Sequence, residues 1–334
     1  MVSLISQHQA GGGDSWAIEG DSDAVGYHRC ANYQTAAGCN WLRPAGIASH
    51  HDRGLCIACS LNRVIPDQSD EQNQVLWGKI ESAKRRLVSQ LLSLGLPVKS
   101  KLPGVWHDPE QGLAFDFLRD WPDQSVTTGH AHGVITVNAL EADDAERERM
   151  RTALHEPYRT LLGHLRHEVG HYYWDRLVLS GTWLEAFRQL FGDERADYNT
   201  ALNNHYTQGA APDWRARHIS AYASSHPWED WAETWAHYLH LRDAMNSAES
   251  FGLTAEDVEW HAKPFKAHAL WDAKRPGATE YLKLINDWLR ITSVLNELSD
   301  SMGQAPFYPF TLAAPVVAKL QLVHEVIGQA QFKS

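Results

Sequence analysis

The sequence predicts an α+β protein, with a small cysteine-bearing segment followed by a mostly helical domain that contains a short β-sheet. Three observations carry this. All four cysteines, Cys30, Cys39, Cys56 and Cys59, lie near the start of the 334 residues, and none follows. Two short stretches between 112 and 138 have the composition of strands. Most of the remainder places apolar residues at steps of three and four, the period of a helix with one buried face.

Taken in order, residues 1–26 lack a basic patch followed by an apolar core, so no secretory signal is expected. Gly11-Gly12-Gly13 with scattered Asp and Ser reads as a flexible tail. Residues 27–67 are rich in turn formers and end at Pro66-Asp67-Gln68-Ser69-Asp70, a linker and helix cap. A helix follows, with Leu76, Ile80, Ala83, Leu87, Leu91 and Leu94 on one face and Gly95 and Pro97 as its stop. Leu113 to Phe117 alternates apolar and polar, and Gly133 to Asn138 is β-branched. A charged helix is expected near 144–155, then helices near 158–179, 182–191 and 194–206. Pro227 suits the first position of a helix running to about Met245. Two more helices are expected near 278–298 and 315–327. The expected domains are a tail (1–26), a cysteine segment (27–67) and one large domain (68–334).

Composition narrows the function classes. Hydrophobic residues make up 43% and charged residues 21%, the profile of a soluble globular chain. No run approaches the ~18 apolar residues of a membrane span. The net charge of −11 argues against nucleic acid as a partner, because phosphate binding calls for a basic footprint. Lys84-Arg85-Arg86 is the one compact basic cluster, and within a helical pattern it reads as a solvated face. Cysteines confined to one short segment do not resemble a disulfide scaffold and point to a reduced, cytoplasmic protein with a metal knot. Cys56-x-x-Cys59 is a good metal knuckle, whereas Cys30 and Cys39 are farther apart than the usual two to four intervening residues. A closed, structural Cys₄ zinc site is expected, with His28, His50 and His51 as possible substitutes.

The catalytic signal is His167-Glu168-Val169-Gly170-His171. Two histidines four apart project from one helical face and can both reach one Zn²⁺, while Glu168 sits one step round, within reach of water but not bound to the ion. Leu161, Leu165, Val169 and Tyr172 share the opposite face from His164, His167 and His171, as a cleft-lining helix requires. The bland reading is a helix with solvated histidines. A catalytic zinc takes three protein ligands and keeps one open position. The best third ligand is Glu229, with Glu233 on the same face accepting the outer N–H of a ligand histidine. Trp228, Trp231, Trp235 and Tyr238 form that helix's packing stripe. Asp175, four residues after His171, is the rival ligand, although three ligands from successive turns of one helix converge poorly.

The stretches HEVGHYYWDRL, FGDERADYNTAL and SAYASSHPWEDWAETWAHYLH, together with RCANYQTAAGCNW and LCIACSLNRVIPD at the front, resemble a family of bacterial zinc-binding metallopeptidases with an N-terminal zinc-ribbon-like segment. The resemblance covers about residues 27–330 and implies a zincin-like peptidase domain over 68–334. The spacing of Tyr222, Glu229 and Glu233 is also similar to the end of the anthrax lethal factor protease, a gluzincin pattern that thermolysin shares in part. By that resemblance Glu229 is the third ligand, Glu233 its supporting partner, and Tyr222 a hydroxyl donor beside the zinc. The strand from Gly133 would then be the edge strand beside the cleft, where an extended peptide can pair. His130 and His132, just before it, read as surface or turn histidines.

The expected activity is hydrolysis of peptides or proteins by a zinc peptidase holding one catalytic and one structural zinc, with Glu168 as general base. The alternatives are a zinc-ribbon adaptor with a degenerate protease domain, and a hydrolase of a non-peptide amide.

Overall fold

The computed structural model describes residues 4–8, 14–18, 26–46, 53–120, 125–153, 156, 158–259 and 262–331. The chain divides into two compact units, one of residues 1–92 with 97–150, the other of 93–96 with 151–334.

The first unit opens with an antiparallel sheet of β1 (Leu4–His8), β2 (Asp14–Ile18), β3 (Tyr27–Arg29) and β4 (Leu42–Pro44), in sequential order. β1 and β2 occupy the stretch read as a tail. They pair from Leu4 opposite Ile18 to His8 opposite Asp14, so two short runs satisfy each other's backbone groups. A glycine-rich joint between short runs signals a chain reversal as readily as a tail. Gly11, Gly12 and Gly13 themselves lie outside the described residues.

Helix α1 (Glu71–Ser93) buries Leu76, Ile80, Leu87 and Leu91 as its spacing requires. Gly95 follows at φ +65°, a left-handed turn that glycine adopts without strain. Lys84 departs from expectation. It is wholly buried, donating to Glu81 Oε1 at 2.7 Å and to the Asn62 side chain, while Arg85 donates to the Ala37 carbonyl at 2.9 Å. Of the basic cluster only Arg86 is exposed. The cluster therefore braces the cysteine segment against α1 and is not a solvated face.

A second sheet contains β5 (Asn62–Val64), β6 (Ala114–Leu118), β7 (Gly129–Ala131) and β8 (Val134–Asn138), in the order β5-β6-β8-β7. β5, β6 and β8 run parallel, and β7 is antiparallel to β8. Phe115, Phe117, Ile135 and Val137 are fully buried. β8 is thus an interior strand with β7 outside it, not the edge strand expected. Its partner β6 is supplied by a parallel crossover that local alternation does not reveal. His130 and His132 sit at the β7–β8 reversal, where His130 Nε2 accepts from the Gly133 N–H at 2.9 Å and His132 has φ +49°. The charged helix α2 (Asp144–Ala153) buries no residue.

The second unit is helical: α3 (Leu161–Leu177), α4 (Leu184–Phe191), α5 (Tyr198–Gln208), α6 (Pro227–Ser250), α7 (Ala278–Ser301) and α8 (Ala314–Gln331). Leu165, Val169 and Tyr172 of α3 and Trp231, Trp235 and Tyr238 of α6 are buried. Trp235 stacks on Tyr173 at 5.1 Å, and Trp231 meets Phe187 and Phe191 at 6.0 and 5.6 Å. Each such ring removes roughly 150–250 Å² from water, which accounts for much of this unit's cohesion. Asp230, on α6, takes Lys319 Nζ of α8 at 2.6 Å and His218 Nδ1 at 3.1 Å inside the core. Among the described residues, no helix is long and apolar enough to cross a membrane. The architecture is α+β.

Candidate active site

The site begins with a close helix crossing. A Cβ on Gly170 would lie 3.0 Å from Ala232 Cα and 3.2 Å from Trp235 Cβ, so any larger residue would press α3 away from α6 by a few tenths of an ångström. Trp231 Nε1 donates to the Gly170 carbonyl at 3.0 Å and locks the crossing. Helix α6 starts sharply. His226 Nδ1 accepts from the Trp228 N–H at 3.1 Å as its cap, and Pro227 occupies the first turn. Glu229, in that turn, thereby faces His167 and His171.

His167 Nε2 lies 3.0 Å from Glu229 Oε2 and 3.1 Å from His171 Nε2, and His171 Nε2 is 3.5 Å from Glu229 Oε1. His167 Nδ1 is 2.8 Å from Glu233 Oε1, and Ser220 Oγ donates to Glu233 Oε2 at 2.6 Å. His167 turns Nδ1 to Glu233, which leaves Nε2 as the nitrogen that faces Glu229 and can take a metal ion. Glu229 Oε2 is buried and makes no hydrogen bond, and neither does His171 Nδ1. Lone pairs from three residues converge with too few protons to share, an arrangement that a cation satisfies. A tetrahedral zinc with bonds near 2.0–2.1 Å spaces its ligands about 3.3 Å apart, close to these separations. Asp175 is not in this group.

The two carboxylates draw positive charge to His167, which either a proton or a metal ion can carry. Burial opposes protonation of His167, but Glu229 and Glu233 outweigh it and hold its pKa well above the usual value. Burial alone would raise Glu229 and Glu233. The histidines instead pull Glu229 well below the carboxylate range, and the His167 hydrogen bond leads in drawing Glu233 down to about 2. Glu168 is 8% exposed, its Oε2 makes no hydrogen bond, and burial raises its pKa. Tyr222 stands in a 3-10 turn, Tyr222–Ser224, with its ring 6.0 Å from that of His167. Burial, more than nearby Glu229, pushes its phenol pKa well up, so it keeps its proton.

Three neighbours were not anticipated. Tyr198 Oη donates to Glu229 Oε1 at 2.7 Å, and Ser220 supports Glu233. Trp228, expected in the packing stripe, is only half-buried and lays its ring 3.8 Å from that of His171. Tyr198 and Ser220 carry no signal in local spacing, because both reach the site through tertiary contacts.

In the first unit Cys30, Cys39, Cys56 and Cys59 are each at most 2% exposed, and their sulfurs all lie within 4.8 Å of one another. Cys39 and Cys56 Sγ are 3.6 Å apart, near the ~3.8 Å edge of a tetrahedral zinc thiolate site. No disulfide joins them. Glu81 Oε2 lies 3.8 Å from Cys59 Sγ, and its other oxygen receives Lys84, so the buried ion pair backs the cluster. His28 is an exposed strand residue outside this group, and His50 and His51 lie outside the described residues.

A family model described as "Putative zinc-binding metallo-peptidase" matches residues 73–326, and a zinc-ribbon domain model matches residues 2–70. Proteins from Mycobacterium bovis and from two strains of Mycobacterium tuberculosis, each named only as uncharacterized, are 41% identical over 309 residues, covering 92% of this chain and 84% of theirs. No solved structure matches. With that match across most of its length, the chain belongs to the family of that description and carries an N-terminal zinc-ribbon domain.

Proposed function

We propose that this protein is a gluzincin-type zinc peptidase, with His167, His171 and Glu229 holding a catalytic zinc and Cys30, Cys39, Cys56 and Cys59 a structural one. The observation that carries this reading is the convergence of two imidazole nitrogens and a buried carboxylate within 4.8 Å, with His167 oriented from behind by Glu233. When bound, zinc supplies Lewis acidity: it acidifies water toward neutral pH and polarises a carbonyl. Glu168, buried and raised in pKa, takes a proton from the attacking water as the new C–O bond forms. It passes that proton to the amide nitrogen as the C–N bond breaks. Tyr222 donates its hydroxyl to the carbonyl oxygen as charge builds there. Glu233 keeps the His167 Nδ1 proton in place and so keeps Nε2 a ligand. The substrates are peptides or proteins, and the four undimerised thiols fit a reducing, cytoplasmic setting.

The test is a cleavage profile of a cell-extract proteome, comparing wild type with Glu168→Gln. Gln keeps the shape and loses the base, so the variant should lose cleavage while keeping its zinc and its fold. Hydrolysis at near the wild-type rate would refute the assigned mechanism.

A further inference from the structure

Tyr198 has no part in the chemistry proposed above, yet its hydroxyl donates to Glu229 Oε1 at 2.7 Å. Its half-buried ring packs edge-on against His226 and Trp228 at 5.3 and 5.9 Å, contacts that do not need the hydroxyl. Two devices fix its place. Asp197 caps α5 by accepting from the Thr200 N–H at 2.6 Å, which sets Tyr198 as the first helical residue. His226, whose Nδ1 caps α6, donates through Nε2 to the Ala196 carbonyl at 3.1 Å. One imidazole therefore ties the chain two residues before Tyr198 to the helix start that carries Glu229.

The two oxygens of Glu229 are consequently unlike. Oε1 receives the phenol, while Oε2 faces His167 Nε2 at 3.0 Å and has no other polar partner. We infer that Tyr198 is a positioning residue that makes Glu229 a one-oxygen metal ligand: the phenol occupies Oε1 and leaves Oε2 for the ion. This rests on the zinc-site reading above. A carboxylate bound through both oxygens takes two positions on the ion, whereas one held by a phenol takes one and keeps a position open for water and substrate.

The experiment uses the full chain and the variant Tyr198→Phe. Zinc affinity of the open site is measured by chelator competition. Cobalt(II) is then loaded into that site alone, with the cysteine-held zinc left in place. Affinity should fall about 10–100-fold, and the visible cobalt bands should weaken as Glu229 swings to bind through both oxygens and the coordination number rises. His205→Ala is the control, because His205 lies on the same helix but rests on Tyr222, at 5.8 Å, and not on Glu229. The inference is overturned if Tyr198→Phe stays within about twofold of wild type, or if His205→Ala loses as much affinity. It is also overturned if affinity falls with an unaltered cobalt spectrum. A wild-type chain that takes no metal in this site would sink the zinc-site reading itself, whereas a metal-binding wild type with an indifferent Tyr198→Phe sinks only the inference about Tyr198.

Discussion

Four sulfurs of the first unit lie within 4.8 Å of one another with no cysteine more than 2% exposed, whereas the three donors of the second unit lie equally close but leave the His167 side chain 12% exposed. Four thiolates fill a tetrahedral ion and three donors do not. The supports differ in the same sense. Glu81 and Lys84 back the cysteines with a wholly buried ion pair, which adds rigidity and shuts out water. Glu233 backs His167 with a directed hydrogen bond, and Ser220 holds Glu233 in place with another. On the function proposed above, the closed set serves folding and the open set serves chemistry.

The largest effect expected is on the closed site. Cys56→Ala should remove its zinc and with it most of the metal-coupled folding energy of the ribbon, on the order of 10 kcal/mol. Hydrogen exchange should show opening of residues 26–64, while the open site retains its metal. If the ribbon stays protected without zinc, the cysteines are packing residues and the comparison fails on that side.

Glu229→Ala should act in the reverse direction. It removes one of three donors, so the open site should lose most of its zinc and all activity, with the cysteine site untouched. Metal analysis of the purified variant checks this. Retention of both ions would show that another residue, Asp175 being the rival considered, completes the set.

Glu233→Ala should be milder, costing about 10–100-fold in zinc affinity or in turnover, because it removes orientation and not a ligand. A variant as damaged as Glu229→Ala would mean that Glu233 itself binds the metal.

Much of the second unit was legible from spacing alone. The 3.6-residue period located α3 and α6, and Pro227 marked the start of α6. The His167–His171 pair is a local feature of one helix turn, so its joint orientation needs no tertiary information. Glu229 was reachable because it shares a first turn with a capping signal. Tyr198 was not, since it meets Glu229 across 31 residues of chain through the His226 tie to Ala196. Ser220 was hidden for the same reason. In the first unit, the order β5-β6-β8-β7 depends on crossovers, so strand composition identified β8 but not its interior place. The burial of Lys84 depends on Asn62 and Glu81 enclosing its ammonium group, and a charged triplet on a helix does not disclose that.

The central claim is that one chain holds a closed and an open zinc site, and zinc counted during stepwise chelation tests it most directly. The purified protein should contain two zinc ions, and a strong chelator should remove one quickly, with loss of peptidase activity, while the second stays until the cysteines are modified. A chain that holds a single zinc, resistant to the chelator and released only by thiol modification, would contradict the account.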